Sequence, residues 1–91
     1  MSKICRHLLI SGRVQGVCFR HYTRKIALQN GVTGWVRNLP DGRVEAWLEG
    51  EEPAIDATLR WCYQGPEMAR VDDVQMEEKP ASGEFDDFSI R

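Results

Sequence analysis

The chain predicts an α+β fold in the order βαββαβ, an antiparallel sheet with two helices packed on one face. Three features predict it. Two segments carry apolar residues at helical spacing, one from about Phe19 to Asn30 and one opening at Glu51-Glu52-Pro53. The segment 43–49 alternates strictly between apolar and polar residues, as a half-buried antiparallel strand does. Glycine- and proline-containing punctuation separates these runs, and no linker, repeat or low-complexity tract intervenes.

The first strand is expected over residues 5–12, with Leu8 and Ile10 on one face and Arg6 on the same parity near its exposed end. Phe19, Tyr22 and Ile26 follow i, i+3, i+7, with Ala27 alongside, so they form the expected inner stripe of the first helix. Asn30-Gly31 stops that helix, because both residues tolerate left-handed backbone. Val32 to Asn38 reads as a second strand, and Leu39-Pro40-Asp41-Gly42 as the hairpin turn after it. In the third strand Val44, Ala46 and Leu48 point one way, and Arg43, Glu45, Trp47 and Glu49 the other. Trp35 and Trp47 share the outward parity and are expected to cover the sheet's open face.

Gly50 closes that strand. The second helix then starts well, with acidic residues at the positive end of the dipole and proline in the first turn. Ile55, Leu59 and Cys62 are its buried stripe, and it ends near Gly65-Pro66. A fourth strand runs from about Val71 to Glu78, and after Pro80-Ala81-Ser82-Gly83 the tail from Phe85 to Arg91 adds a short extended segment. Asp72-Asp73 and Glu77-Glu78 read as solubility charges rather than as a carboxylate dyad. This order is the ferredoxin-like split β-α-β unit. The architecture hosts many functions, so the fold does not choose one.

Composition narrows the classes. Residues 1–91 are expected to form one domain, since a chain of this size builds a single two-layer core. A formal net charge of −2 argues against a nucleic-acid binder held by a broad basic surface. RNA-recognition variants of this fold also carry aromatic and basic residues on the central strands, whereas here Trp47 stands between two glutamates and the first strand has no aromatic. No run approaches the ~20 apolar residues that span a bilayer, and the segment Met-Ser-Lys-Ile-Cys-Arg-His lacks a signal-peptide core, so no membrane association and a cytoplasmic location are expected. Cys5, Cys18 and Cys62 have no metal-ligand spacing with His7 or His21, so neither a metal nor another cofactor is expected, and their redox state is left open.

The chemistry concentrates in Gly12-Arg13-Val14-Gln15-Gly16-Val17-Cys18-Phe19-Arg20. This glycine-containing segment follows a strand and opens a helix. The amides of a helix's first turn have no partner within the helix, and together they suit an anion such as phosphate. Arg20 at the edge of such a cavity offers a planar fork of donors for two oxygens. Cys18 lies only two residues before Arg20, too close for the loop to wrap a phosphate around a nucleophilic thiolate, so it reads as incidental. His21 in the first helical turn, and Arg13 and Arg24 nearby, read as solvated groups.

The segment 12–20, as G-R-V-Q-G-V-x-F-R, and the segment 34–50, as G-W-V-x-N-x-x-x-G-x-V-x-x-x-x-x-G, resemble the acylphosphatases. The closing F-x-I-R at 88–91 resembles that family's last strand, so the similarity covers nearly the whole chain. Asn30 departs from the leucine more usual there and is expected to cost some helix packing. The resemblance implies metal-independent hydrolysis of a carboxyl–phosphate anhydride to a carboxylate and inorganic phosphate. It implies that the backbone amides of Gln15, Gly16, Val17, Cys18, Phe19 and Arg20 cradle the phosphate, that Arg20 holds two of its oxygens, and that Asn38 orients the attacking water. The expected partner is a small-molecule acyl phosphate, and the expected state a monomer. Two other readings stay open: a non-catalytic phosphate-binding regulatory module, and a carbamoyl-phosphate-handling domain of a larger maturation protein.

Overall fold

A computed structural model describes residues 3–91. Its elements are β1 (Ile4–Arg13), α1 (Phe19–Gln29), β2 (Thr33–Asn38), β3 (Val44–Gly50), α2 (Glu52–Gln64), β4 (Arg70–Lys79) and β5 (Phe88–Ile90). The strands form one sheet in the order β4-β1-β3-β2-β5. The first four pair antiparallel, as the βαββαβ order requires. β5 adds a parallel pairing to β2, with Gly34 opposite Phe88, so the complete sheet is mixed.

Alternation along the strands decides which face the helices cover. Leu8, Ile10, Val36, Val44, Ala46 and Leu48 are all fully buried and meet Ile55 and Cys62 from α2. Gly34 allows β2 to approach β3, because any Cβ there would be driven into the Trp47 carbonyl.

The inner stripe of α1 differs from the expected one. Phe19, Thr23 and Ala27 are buried at i, i+4, i+8, whereas Tyr22 is 42% exposed. Thr23 satisfies its polarity by donating its hydroxyl to the Phe19 carbonyl at 2.8 Å, so it can face the core without an unpaired hydroxyl. Arg6 also departs from the expected exposed position. It lies beneath α2, where Asp56 accepts a hydrogen bond from its Nη1 at 2.6 Å, and only 11% of its side chain is exposed. Asn30 reaches the Ile26 carbonyl at 3.0 Å and the Thr58 hydroxyl at 3.3 Å, so it joins α1 to α2 where lost packing was expected.

The other face of the sheet is crossed by the segment between β4 and β5, which lie at opposite edges. Trp35 and Trp47 stack there at 6.3 Å, as their parity predicts, and the Arg91 guanidinium sits 5.1 Å from the Trp35 ring. Glu49 anchors the crossing segment. Its carboxylate accepts from the Ser82 amide at 2.6 Å, the Ser82 hydroxyl at 2.7 Å, the Gly83 amide at 3.2 Å and the Trp47 indole at 3.1 Å. Burial works to raise the Glu49 pKa, but these donors outweigh it and hold the carboxyl below its ordinary value.

A carboxyl depressed in the folded state stabilises the fold above its unfolded pKa of about 4.3 and loses that contribution as pH falls through the lower folded value. Urea denaturation between pH 6 and 3 should therefore show a fall in stability below about pH 4.5 that is shallower in Glu49→Gln. Equal slopes in the two proteins would remove Glu49 as the acid-sensitive anchor.

Candidate active site

The loop 14–18 joins β1 to α1 and is held from inside. Val14 and Val17 are buried, at 1% and 8% exposure, and act as apolar pegs. Gly16 at φ 73° and Cys18 at φ 62° take left-handed backbone, which sharpens the turn. Cys18 is the one non-glycine residue with positive φ among the described residues, a conformation that costs roughly 1–2 kcal/mol. Its side chain is exposed and unpaired.

The sequence assigned the Gln15 amide group no separate role, yet its side chain ties the loop to the β2–β3 turn. Its Nε2 donates to the Leu39 carbonyl at 2.8 Å and to the Arg43 carbonyl at 3.0 Å. That turn is closed by the Leu39 amide on the Arg43 carbonyl at 2.8 Å. One glutamine side chain therefore sets the distance between the loop and Asn38, the last residue of β2.

Among the described residues, no main-chain amide from Gln15 to Arg20 donates to another protein group, and the first bond at this end of α1 runs from the Tyr22 amide to the Cys18 carbonyl at 3.1 Å. The first turn of α1 carries no acidic residue and instead places Arg20 there. A cation at a helix N-terminus is disfavoured by roughly 0.3–1 kcal/mol unless an anion joins it. Arg20 is half-buried and, among the described residues, forms no ion pair, although the chain has 14 acidic residues.

Arg20 and Asn38 line one cavity of about 360 Å³, together with Gly16, Cys18, Phe19 and Ile90. The Asn38 Oδ1 atom is buried without a hydrogen-bond donor among the described residues. An orphaned acceptor of this kind costs roughly 1–3 kcal/mol and is kept where a ligand or water satisfies it. Of the other predicted loop residues, Val17 turns into the core and Gln15 into the tether, so their side chains stay out of the cavity.

Across residues 6–90 the sequence matches the family model described as acylphosphatase. The chain belongs to the acylphosphatase family. It is 60% identical over 82 residues to an acylphosphatase of Rubrobacter xylanophilus, covering 90% of this chain and 74% of that one. Over 89 residues it is 52% identical to an acylphosphatase of Geobacter sulfurreducens, covering 98% of both. The solved structure of an acylphosphatase from Coxiella burnetii superposes with a TM-score of 0.93 at 40% identity, over 98% of this chain and 93% of that one.

In this acylphosphatase His21 also lines the cavity; it is exposed, its ring edge-on to Tyr22 at 5.7 Å. Arg24, expected as a solvated charge, donates Nε to the Phe88 carbonyl at 2.9 Å and so fixes α1 against β5. Burial pushes the Cys5 and Cys62 thiols up to about 12, which keeps both protonated. Ile90 at the cavity wall was not foreseen, since nothing local in a three-residue strand signals a parallel pairing with β2.

Proposed function

We propose that this acylphosphatase binds the phosphate of an acyl phosphate on the main-chain amides of Gln15 to Arg20, clamps it with the Arg20 guanidinium, and completes hydrolysis with a water held by Asn38. The P–O bond to the bridging oxygen breaks, and that oxygen departs on the carboxylate. The water oxygen forms the new bond to phosphorus, and its protons pass to phosphate and solvent.

The chemistry asks little more of the protein. A leaving carboxylate has a conjugate acid with a pKa of about 4, so no general acid is needed. A loose phosphoryl-transfer transition state needs little help from a base; positioning and charge stabilisation carry the rate. Preset amides and a planar arginine supply the charge, and an asparagine amide can both accept from and donate to a water.

One observation carries this reading. Among the described residues, an arginine with no acidic partner and an asparagine with an unpartnered buried oxygen share one cavity beside unspent helix-end amides. A module that only bound phosphate would use the amides and Arg20 but would have no need for the orphaned acceptor. Three unpaired cysteines suit the reducing cytoplasm, and a site formed within one chain suits a monomer acting on a small molecule.

The test is turnover of benzoyl phosphate by the purified protein, with and without EDTA. Hydrolysis at the same rate in both is expected. Saturable phosphate binding without turnover would return the protein to the regulatory-module reading, and loss of activity in chelator would overturn the metal-free mechanism.

A further inference from the structure

A second recess, of about 390 Å³, borders the same loop and meets the first cavity at Cys18, the residue that lines both. Its walls are Val17, Tyr22, Trp61, Pro66 and Met68. Tyr22 and Met68 are 42% and 64% exposed, so two large apolar side chains stand in water beside an anion-binding loop. The Trp61 ring is braced against Phe19, centroid to centroid 5.4 Å, and Phe19 is the first residue of α1. The recess and the phosphate loop are thus built on one rigid corner.

We propose that this recess is the acyl subsite and that it selects uncharged, apolar acyl groups of about one ring or a short chain. The inference rests on the assignment of the loop as the phosphate site. In a mixed anhydride the acyl carbon is one bridging oxygen from phosphorus, so the acyl group emerges within a few bonds of the loop. Displacement at phosphorus places the entering water and the leaving oxygen roughly in line on opposite sides. With the water at Asn38, the acyl group points away from Asn38, and Asn38 lines the first cavity but not the second.

Charge and size set the class. Among the described residues, the recess has one carboxylate, Glu67, on its exposed rim, and no lysine or arginine in its wall. An acyl group with its own carboxylate is therefore repelled, whereas an aromatic or short aliphatic one is not. A volume of about 390 Å³ lies at the small end of ligand sites, which run from ~300 to ~1,000 Å³.

The experiment compares kcat/KM for benzoyl phosphate, acetyl phosphate and succinyl phosphate in wild type, Tyr22→Ala, Met68→Ala and Glu67→Lys. Intrinsic reactivity cancels when each substrate ratio is compared with its wild-type value. The benzoyl-to-acetyl ratio should fall about 5- to 10-fold in Tyr22→Ala and in Met68→Ala, mainly through KM, with inhibition by inorganic phosphate unchanged within about twofold. Glu67→Lys should raise succinyl over benzoyl phosphate about fivefold. Met68 and Glu67 are exposed, so these variants report even if Tyr22→Ala fails to fold.

Ratios equal to wild type in Met68→Ala and Glu67→Lys overturn the acyl subsite while leaving the phosphate site standing. If those variants instead abolish a concentration-dependent self-association, the recess is occupied by a second copy of the chain and the proposal fails. Wild type that turns over none of the three substrates overturns the phosphate-site reading itself.

Discussion

Arg20→Ala is expected to lower kcat/KM for acyl phosphate by on the order of 10³ or more, about 4 kcal/mol of transition-state stabilisation. Arg20 makes no ion pair among the described residues and sits where the α1 dipole disfavours a cation. Its removal should therefore leave the urea midpoint unchanged or raise stability by roughly 0.3–1 kcal/mol. Activity falls while stability holds, as expected of a side chain kept for a ligand rather than for the fold. Arg20→Lys keeps the charge but loses the planar fork, so it should recover only part of the loss. A decrease of less than tenfold, or a drop in stability parallel to the loss of rate, would mean that Arg20 is a structural residue.

The candidate site was legible in the sequence to the extent that local chain chemistry forms it. A strand, a glycine-containing turn and a helix start are local, and the loop with Arg20 follows from them. Asn38 was legible only through a motif, because the residues that bring it to Arg20 are distant: the Gln15 tether spans 24 positions to Leu39. The same rule separates hits from misses in the fold. Leu8, Ile10, Val44, Ala46 and Leu48 announce their burial by alternation, and all are fully buried.

Tyr22 and Thr23 break the periodic reading of α1, since apolar spacing counts the tyrosine and discounts a threonine whose hydroxyl is satisfied one turn back. Glu49 is 3% exposed although its parity faces outward, because a segment more than thirty residues later lies over it and brings its own donors. The contacts of Arg24 with Phe88 and of Asn30 with Thr58 are likewise long-range and polar. No hydrophobic period encodes such pairs.

Asn38→Ala is expected to separate the two functions proposed for the cavity. If the amide holds the water, kcat should fall by about 10²–10³, the range for removing one positioned donor or acceptor, while inhibition by inorganic phosphate stays within about twofold. In the proposed site phosphate rests on the loop and Arg20, neither of which the substitution touches. Stability should rise slightly, because truncation removes a buried acceptor that has no donor among the described residues. Asn38→Asp provides the opposite sign: it keeps the shape but brings a negative charge toward the anion, so phosphate inhibition should weaken along with turnover. The pair of variants therefore fixes which species Asn38 faces. Lost phosphate affinity with retained kcat in Asn38→Ala would place the side chain on the phosphate, and the water would then need another holder along the cavity wall.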